Sequence, residues 1–328
     1  MVIVGITGTL SSGKEIAAKY LQLNQGFNVI NLESPSWEET NPRSNYESEE
    51  SCRIAIATQA LKTIMKDLTQ HYLVYPLTLP EELMVFRKRS YFICLGIDSP
   101  LTMRYANYCK KHGKPKNLLQ GFIYIDDHTK YGLNGYPCRV IETLLSAERI
   151  IQNKGNEEEF YSQLRLLDLL NPEHSRPSWD TYFIRLAEMA ATRSSCVSSK
   201  QGAIIAKDKK VISTGYNGTP AKLTNCNEYG CKFCNKIDDS ECLCIHSEIN
   251  ALIEAGRNRT TGSDLYTTHM PCISCSKSIL QSDIKRVIYS RQESFREDTF
   301  NFLTSANIPL ILQFPAIASK VISNIENS

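Results

Sequence analysis

Four side chains in two short segments can do chemistry together. His246 and Glu248 lie in Cys244-Ile245-His246-Ser247-Glu248, and Cys272 and Cys275 lie in Pro271-Cys272-Ile273-Ser274-Cys275. One imidazole and two thiols are three ligands of the kind zinc takes, with a fourth position left for water. Glu248 beside them is an acid that can hydrogen-bond that water, accept its proton and return it. A C-x-x-C alone also reads as a redox pair, and a lone histidine as a satisfied core residue. Neither of those readings gives H-x-E a role.

The neighbouring residues say which elements hold these groups. Ile249, Leu252 and Ile253 are apolar at helical spacing, which predicts a helix with His246 and Glu248 in its first turn. Pro271 marks a second helix start, and a spacing of three puts Cys272 and Cys275 on one helix face. A helix N-terminus favours thiolate over thiol, the form zinc needs. A strand-like run, Asp264 to Thr268, separates the two. Upstream, Ser178 caps a helix that includes Trp179 to Thr192, with Phe183, Leu186, Ala187 and Ala190 as its apolar face. Gly202 to Ala206 and Val211 to Tyr216 flank a polar turn, Lys207-Asp208-Lys209-Lys210, and predict an antiparallel hairpin. Downstream, Arg286 to Tyr289 reads as a strand, Phe295 to Ser305 as a helix and Leu310 to Phe314 as a last strand. That order makes a three-layer α/β/α domain.

H-x-E followed by P-C-x-x-C is the signature of zinc deaminases. Over residues 178–314 the chain resembles deoxycytidylate deaminases of the cytidine/deoxycytidylate deaminase superfamily, especially the fungal type with an added N-terminal domain. The segments that carry the resemblance are Trp179-Asp180-Thr181-Tyr182-Phe183, Arg193-Ser194-Ser195-Cys196, Gly215-Tyr216-Asn217-Gly218-Thr219-Pro220, Leu243 to Glu248 and the P-C-x-x-C run.

The resemblance implies that dCMP and water become dUMP and ammonia, supplying dUMP for dTTP synthesis. It implies Zn2+ on His246, Cys272 and Cys275. By the same resemblance Glu248 moves a proton from water to cytosine N3, and then helps protonate the departing amine. Backbone groups near Ser247 and Pro271 hold the base, and Asn217 the sugar, although Asn-Gly is also a turn dipeptide. For the 5′-phosphate, Arg193 and Ser194 are the local candidates, with Lys200 behind them; Arg193 serves equally well in a structural salt bridge. The family further implies a homo-oligomer, often a hexamer, activated by dCTP and inhibited by dTTP. Gly215 to Pro220 resembles part of that regulatory region. Ser247 stands where the family usually has Ala, and Glu293 where a tyrosine often follows the strand. His269 is read as a pocket or core histidine, since the ligand set is complete without it.

A second cysteine cluster lies in a stretch rich in Gly, Asn and Asp. Cys226, Cys231, Cys234 and Cys242 have the character of a structural zinc site, with Cys244 set aside as buried; free thiols are the alternative.

The first part of the chain carries another motif. A β-branched run, Val2 to Thr7, leads into Gly8-Thr9-Leu10-Ser11-Ser12-Gly13-Lys14-Glu15. This is G-x4-G-K, a loop whose N–H groups cradle phosphate at a helix start, so Gly8, Gly13 and Lys14 form a candidate phosphate loop. Glu15 stands where a Ser or Thr would hold Mg2+. Strands at Phe27 to Leu32, Leu73 to Leu77 and Tyr91 to Ile97 alternate with helices at Glu49 to Leu68 and Glu157 to Leu170. Asp98-Ser99-Pro100 with Arg104 resembles a nucleotide-binding segment of small P-loop kinases, and Asp126 and Asp127 are candidate bases. Residues 1–170 are therefore expected to form a P-loop-kinase-like α/β domain, degenerate for phosphoryl transfer. Mg2+ with a regulatory nucleotide stays open. Pro172 and Pro177 break structure, making 171–177 a linker and 178–328 the zinc domain.

Composition narrows the class. With 328 residues, 42% hydrophobic and 22% charged, the chain is an ordinary globular one of two-domain length. A net charge of +2 argues against a broad nucleic-acid face, and so against the alternative of a tRNA or single-stranded DNA base deaminase. No run approaches the ~20 apolar residues that span a bilayer. Twelve cysteines without an export signal fit reduced, metal-binding thiols in the cytoplasm or nucleus.

Overall fold

The computed structural model describes residues 1–113, 118–229, 233–234, 242–313 and 321–322. Two units emerge: Met1–Ser175 together with residues 319–328, and Arg176–Ala318. Among the described residues no helix is long and apolar enough to cross a membrane.

In Arg176–Ala318 five strands lie in the order Leu310–Leu312, Arg286–Tyr289, Asp264–Thr267, Gly202–Lys207, Lys210–Tyr216. The first three run parallel, and Gly202–Lys207 is antiparallel to both of its neighbours. Alternation along the strands builds two cores. Ala203, Ile205, Leu265 and Val287 face the helices Ser247–Ala255, Ile273–Gln281 and Glu297–Ser305, meeting Ala251, Ile279 and Leu303. Ile204, Ala206, Tyr266 and Ile288 face the helix Trp179–Ala191, meeting Phe183, Ile184 and Ala187. A one-residue slip would exchange these sets, so the register is fixed by burial on both sides. The hairpin turn has Asp208 at φ 52° and Lys209 at φ 62°, the two left-handed residues of a tight connection. Phe314, expected to end the last strand, lies outside the described residues.

In the first unit six strands are all parallel, in the order Val321–Ile322, Arg149–Gln152, Phe92–Asp98, Ile3–Gly8, Tyr72–Leu77, Asn28–Asn31. Ile3, Val74, Leu77 and Cys94 pack towards the helices Glu49–Ile64 and Pro80–Arg87, while Val4, Ile6, Leu73 and Leu95 pack towards Lys14–Gln25 and Glu157–Leu166. Strands buried on both faces read as near-continuous apolar runs, as Val2 to Thr7 does. Sequence periodicity shows no strand at Arg149–Gln152 and places residues 321–322 with the zinc domain. Both belong to this sheet. Each is short, and Arg149 and Gln152 bracket only two apolar residues, too few to show a period.

Candidate active site

The Ser247–Ala255 helix starts against the Lys210–Tyr216 strand at very short range. A Cβ on Gly215 would lie 2.1 Å from the Ser247 carbonyl oxygen, so only glycine lets the helix start sit there. Beyond the strand, Gly218 and Ile245 form an antiparallel bridge, with N–H···O distances of 3.2 and 2.8 Å. Asn217 completes the clamp: its Oδ1 accepts from Ser247 N–H at 2.8 Å. Its Nδ2 donates to Ser199 C=O at 3.2 Å, and its own carbonyl accepts from Ser194 Oγ at 2.7 Å. His246 is thereby fixed one residue after the bridge and one before the clamp.

His246 is the N-cap of its helix rather than a residue of the first turn, and Cys272 is likewise the N-cap of Ile273–Gln281. Cys272 Sγ accepts from the Cys275 N–H at 3.5 Å, which is the capping bond. Two helix ends therefore meet, and the Ile273–Gln281 helix turns its Cys275 N–H to the Cys272 sulfur.

His246 Nδ1 lies 3.3 Å from Cys275 Sγ and 3.6 Å from Cys272 Sγ, and the three donor atoms all lie within 4.8 Å of one another. Bonds of about 2.05 Å to nitrogen and about 2.3 Å to sulfur at tetrahedral angles put such donors about 3.6 Å apart. The donor set fits zinc in both chemistry and spacing. It also grades from surface to core: His246 is exposed, Cys272 half-buried and Cys275 buried. The Cys272 thiol is held down to about 3, first because Cys275 donates to it and then because His246 does. The same contact with Cys272, then burial, pushes Cys275 up. His246 is raised, chiefly by its bond to Cys272.

Glu248 is 1% exposed. Thr267 Oγ1 donates to its Oε1 at 3.4 Å and Ser247 Oγ to its Oε2 at 3.2 Å. Burial raises its carboxyl above the usual range, with its backbone N–H, His246 and Ser247 opposing. A buried carboxyl that gains a proton readily is suited to carrying one between two positions.

The remaining sequence candidates divide. Ser247 and Asn217 sit in the site, and both are committed to each other there. Ser194 is buried, and its single hydroxyl proton goes to Asn217 C=O, so it acts on the clamp. Arg193 is exposed and makes no ion pair among the described residues. Of the second cysteine set, Cys231 lies outside the described residues. Cys226 Sγ lies 3.5 Å from Sγ of Cys244, which is outside the expected ligand set. Burial pushes the Cys244 thiol up, helped by Cys226, Cys196 and Cys242. Among the described residues the His246, Cys272, Cys275 group is the one cluster with metal-binding spacing. Gly8, Gly13 and Lys14 belong to the first unit. Sequence reasoning missed Thr267, the residue that reaches Glu248 from the neighbouring strand, and Ser199, which holds Asn217; a polar residue at the inward end of a buried strand was the available signal for the first.

The family model described as "Cytidine and deoxycytidylate deaminase zinc-binding region" matches residues 177–291. The deoxycytidylate deaminase of Schizosaccharomyces pombe is 33% identical over 96% of this chain and 98% of its own length. That of Saccharomyces cerevisiae is 32% identical over 94% of this chain and 95% of its own. The deoxycytidylate deaminase of Mycobacterium phage D29 is 39% identical over 36% of this chain and 98% of its own length. With ligands, buried acid and full-length similarity in agreement, the chain belongs to the deoxycytidylate deaminase family.

Proposed function

We propose that this protein hydrolyses dCMP to dUMP and ammonia, with zinc as its resident metal on His246, Cys272 and Cys275. The observation that carries the reading is a buried acid, Glu248, two residues from one ligand of a three-donor metal cluster. Zinc in such a set supplies a Lewis acid that brings the pKa of water from 15.7 towards ~7. Glu248 takes the proton released by water and delivers it to N3 of the pyrimidine, which makes C4 electrophilic. As the water oxygen bonds to C4, Glu248 takes the remaining hydroxyl proton and passes it to the 4-amino group, so that the C4–N bond breaks to release ammonia and C4=O remains. Ser247 and Thr267 hold its two oxygens for these transfers. Asn217 keeps the helix start in register while the proton moves. Arg193, exposed and uncommitted to an acid, is assigned to the 5′-phosphate, and Asn217 keeps a further N–H for the sugar.

Glu248→Gln tests this reading. Turnover of dCMP is expected to fall about 10²–10⁴-fold while zinc content stays at the wild-type level. Substantial turnover in that variant, or none in the zinc-loaded wild type, would sink it. Offering a single-stranded oligonucleotide beside dCMP separates the base-editing alternative. The second structural zinc, on Cys226, Cys234 and Cys242 with Cys231, is part of the same proposal, and metal analysis giving one zinc per chain would remove it. Regulation by dCTP and dTTP, and assembly to a hexamer, are proposed on family grounds and are read from velocity curves and sedimentation.

A further inference from the structure

The G-x4-G-K loop is the motif that deamination leaves unused. It joins the Ile3–Gly8 strand to the Lys14–Gln25 helix, whose N-cap, Gly13, sits at φ 102° with no side-chain cap. A Cβ on Gly8 would lie 2.1 Å from the Ile97 carbonyl, so the loop leaves the sheet pressed against the next strand.

Five successive carbonyls of this loop have side-chain donors. Lys14 Nζ donates to Gly8 and Thr9 at 2.9 and 2.7 Å. Arg104 donates to Leu10 at 3.5 Å, Asn107 to Ser11 at 3.3 Å and Asn153 to Ser12 at 3.0 Å. In a planar trans peptide the N–H points opposite to the C=O. The amides of Ser11 and Gly13 are therefore turned away from these donors, as in an anion-binding nest.

Independent of that geometry, a cavity of about 440 Å³ opens over the loop. That size is ordinary for a small-molecule site. Ser12 lines it, is fully buried, and its hydroxyl has no hydrogen-bond partner. A buried polar group left unpaired costs about 1–3 kcal/mol, so Ser12 marks a place where an acceptor or donor belongs. Lys14 also lines the cavity and forms no ion pair among the described residues. Glu15 and Glu33 also line the cavity; Glu15 is taken by Lys111 at 3.0 Å. Tyr75 and Tyr108 line the cavity as well, the Tyr108 ring packed at 4.4 Å on His112 and 5.2 Å on Phe122.

We propose that this cavity binds a nucleoside phosphate, its phosphates on the Gly8–Lys14 loop and its base against Tyr75 and Tyr108, and holds it without transferring a phosphoryl group. The absence of transfer follows from the acids. Position 15 has no hydroxyl for Mg2+. Asp126 is paired with Arg104 and, at 3.1 Å, with Lys130. Asp98 accepts from Thr9 Oγ1 at 3.0 Å. None of these carboxylates stands free as a base. The proposal does not rest on the deaminase reading, because every residue it uses lies in the other unit.

Calorimetric titration of the full zinc-loaded chain with ATP, pyrophosphate and adenosine, without added magnesium, tests it. ATP is expected to bind saturably and more tightly than pyrophosphate, with adenosine far weaker and excess dCMP failing to displace ATP. Lys14→Ala should weaken ATP at least tenfold and Ser12→Ala several-fold, with the ligand-free melting temperature of Lys14→Ala not lowered. Absence of saturable ATP binding, displacement by dCMP, or unchanged affinity in both variants would overturn the site. Pyrophosphate binding as tightly as ATP would overturn the nucleoside assignment. Catalytic ATP turnover with magnesium would overturn the holding role.

Discussion

The Asn217 carboxamide faces the protein, with its oxygen on Ser247 N–H and its nitrogen on Ser199 C=O. Outer partners of this kind usually change metal affinity or activity by 10–100-fold when removed. Asn217→Ala is accordingly expected to lose about that much in zinc affinity or dCMP turnover, measured by chelator competition and steady-state rates. A variant that lost dCMP affinity alone would make Asn217 a substrate contact only. The clustering of His246, Cys272 and Cys275 beside a buried Glu248 was legible in the sequence because His and Cys are rare residue types and stand here at fixed short spacings. Asn217 on Ser247 was not, since that bond joins positions 30 apart and only the folded strand and helix bring them together. Lys14 offers a second prediction at this scale. Burial lowers its pKa to about 8, with Glu33, Glu15 and Asp126 opposing and Arg104 assisting. The unfolded chain keeps that proton towards 10.5, so between these values unfolding takes up protons and stability rises with pH. Lys14→Met should therefore stabilise the ligand-free unit near neutral pH, on the order of 1 kcal/mol, and by less as pH approaches the free-lysine value. An equal effect at both ends, read by urea melts, would refute this.

The Trp179–Ala191 helix is bolted to its sheet by Arg286. The guanidinium meets Asp180 at 2.9 and 3.0 Å and Asp264 at 2.8 Å, and Tyr266 Oη donates to Asp180 at 2.7 Å. The group is about a quarter exposed, so its pairs sit between the weak surface case and the strong buried one. Arg286→Met should cost about 2 kcal/mol and Tyr266→Phe about 1, seen as shifts in denaturant midpoint. No shift in either would show that apolar packing alone seats the helix. Elements with a long apolar stripe were readable: the hairpin, the strand before the phosphate loop and the Ser178-capped helix. The start of the helix after His246 was off by one residue and that of the helix after Pro271 by two, because His246 and Cys272 act as caps from outside. The Arg149–Gln152 strand was invisible, since its partners on either side come from distant parts of the chain.

At the scale of the whole molecule the separate cores matter most. Two units with separate hydrophobic clusters should unfold in two steps by calorimetry. Removing zinc should lower the step of Arg176–Ala318 and abolish turnover, with both restored by adding zinc, because Cys275 belongs to that unit's core. If chelation moved both steps equally, the units would not be thermodynamically distinct. The six-stranded sheet carries one more consequence. Its outermost strand, Val321–Ile322, pairs with Arg149–Gln152. Everything between those segments, including all of the catalytic unit, leaves the ribosome first. The nascent sheet must therefore wait with a bare parallel rim, the kind of rim that recruits neighbouring chains. Translation order thus makes Val321–Ile322 a molecular clasp, and polypeptides stalled short of it should be the ones that aggregate.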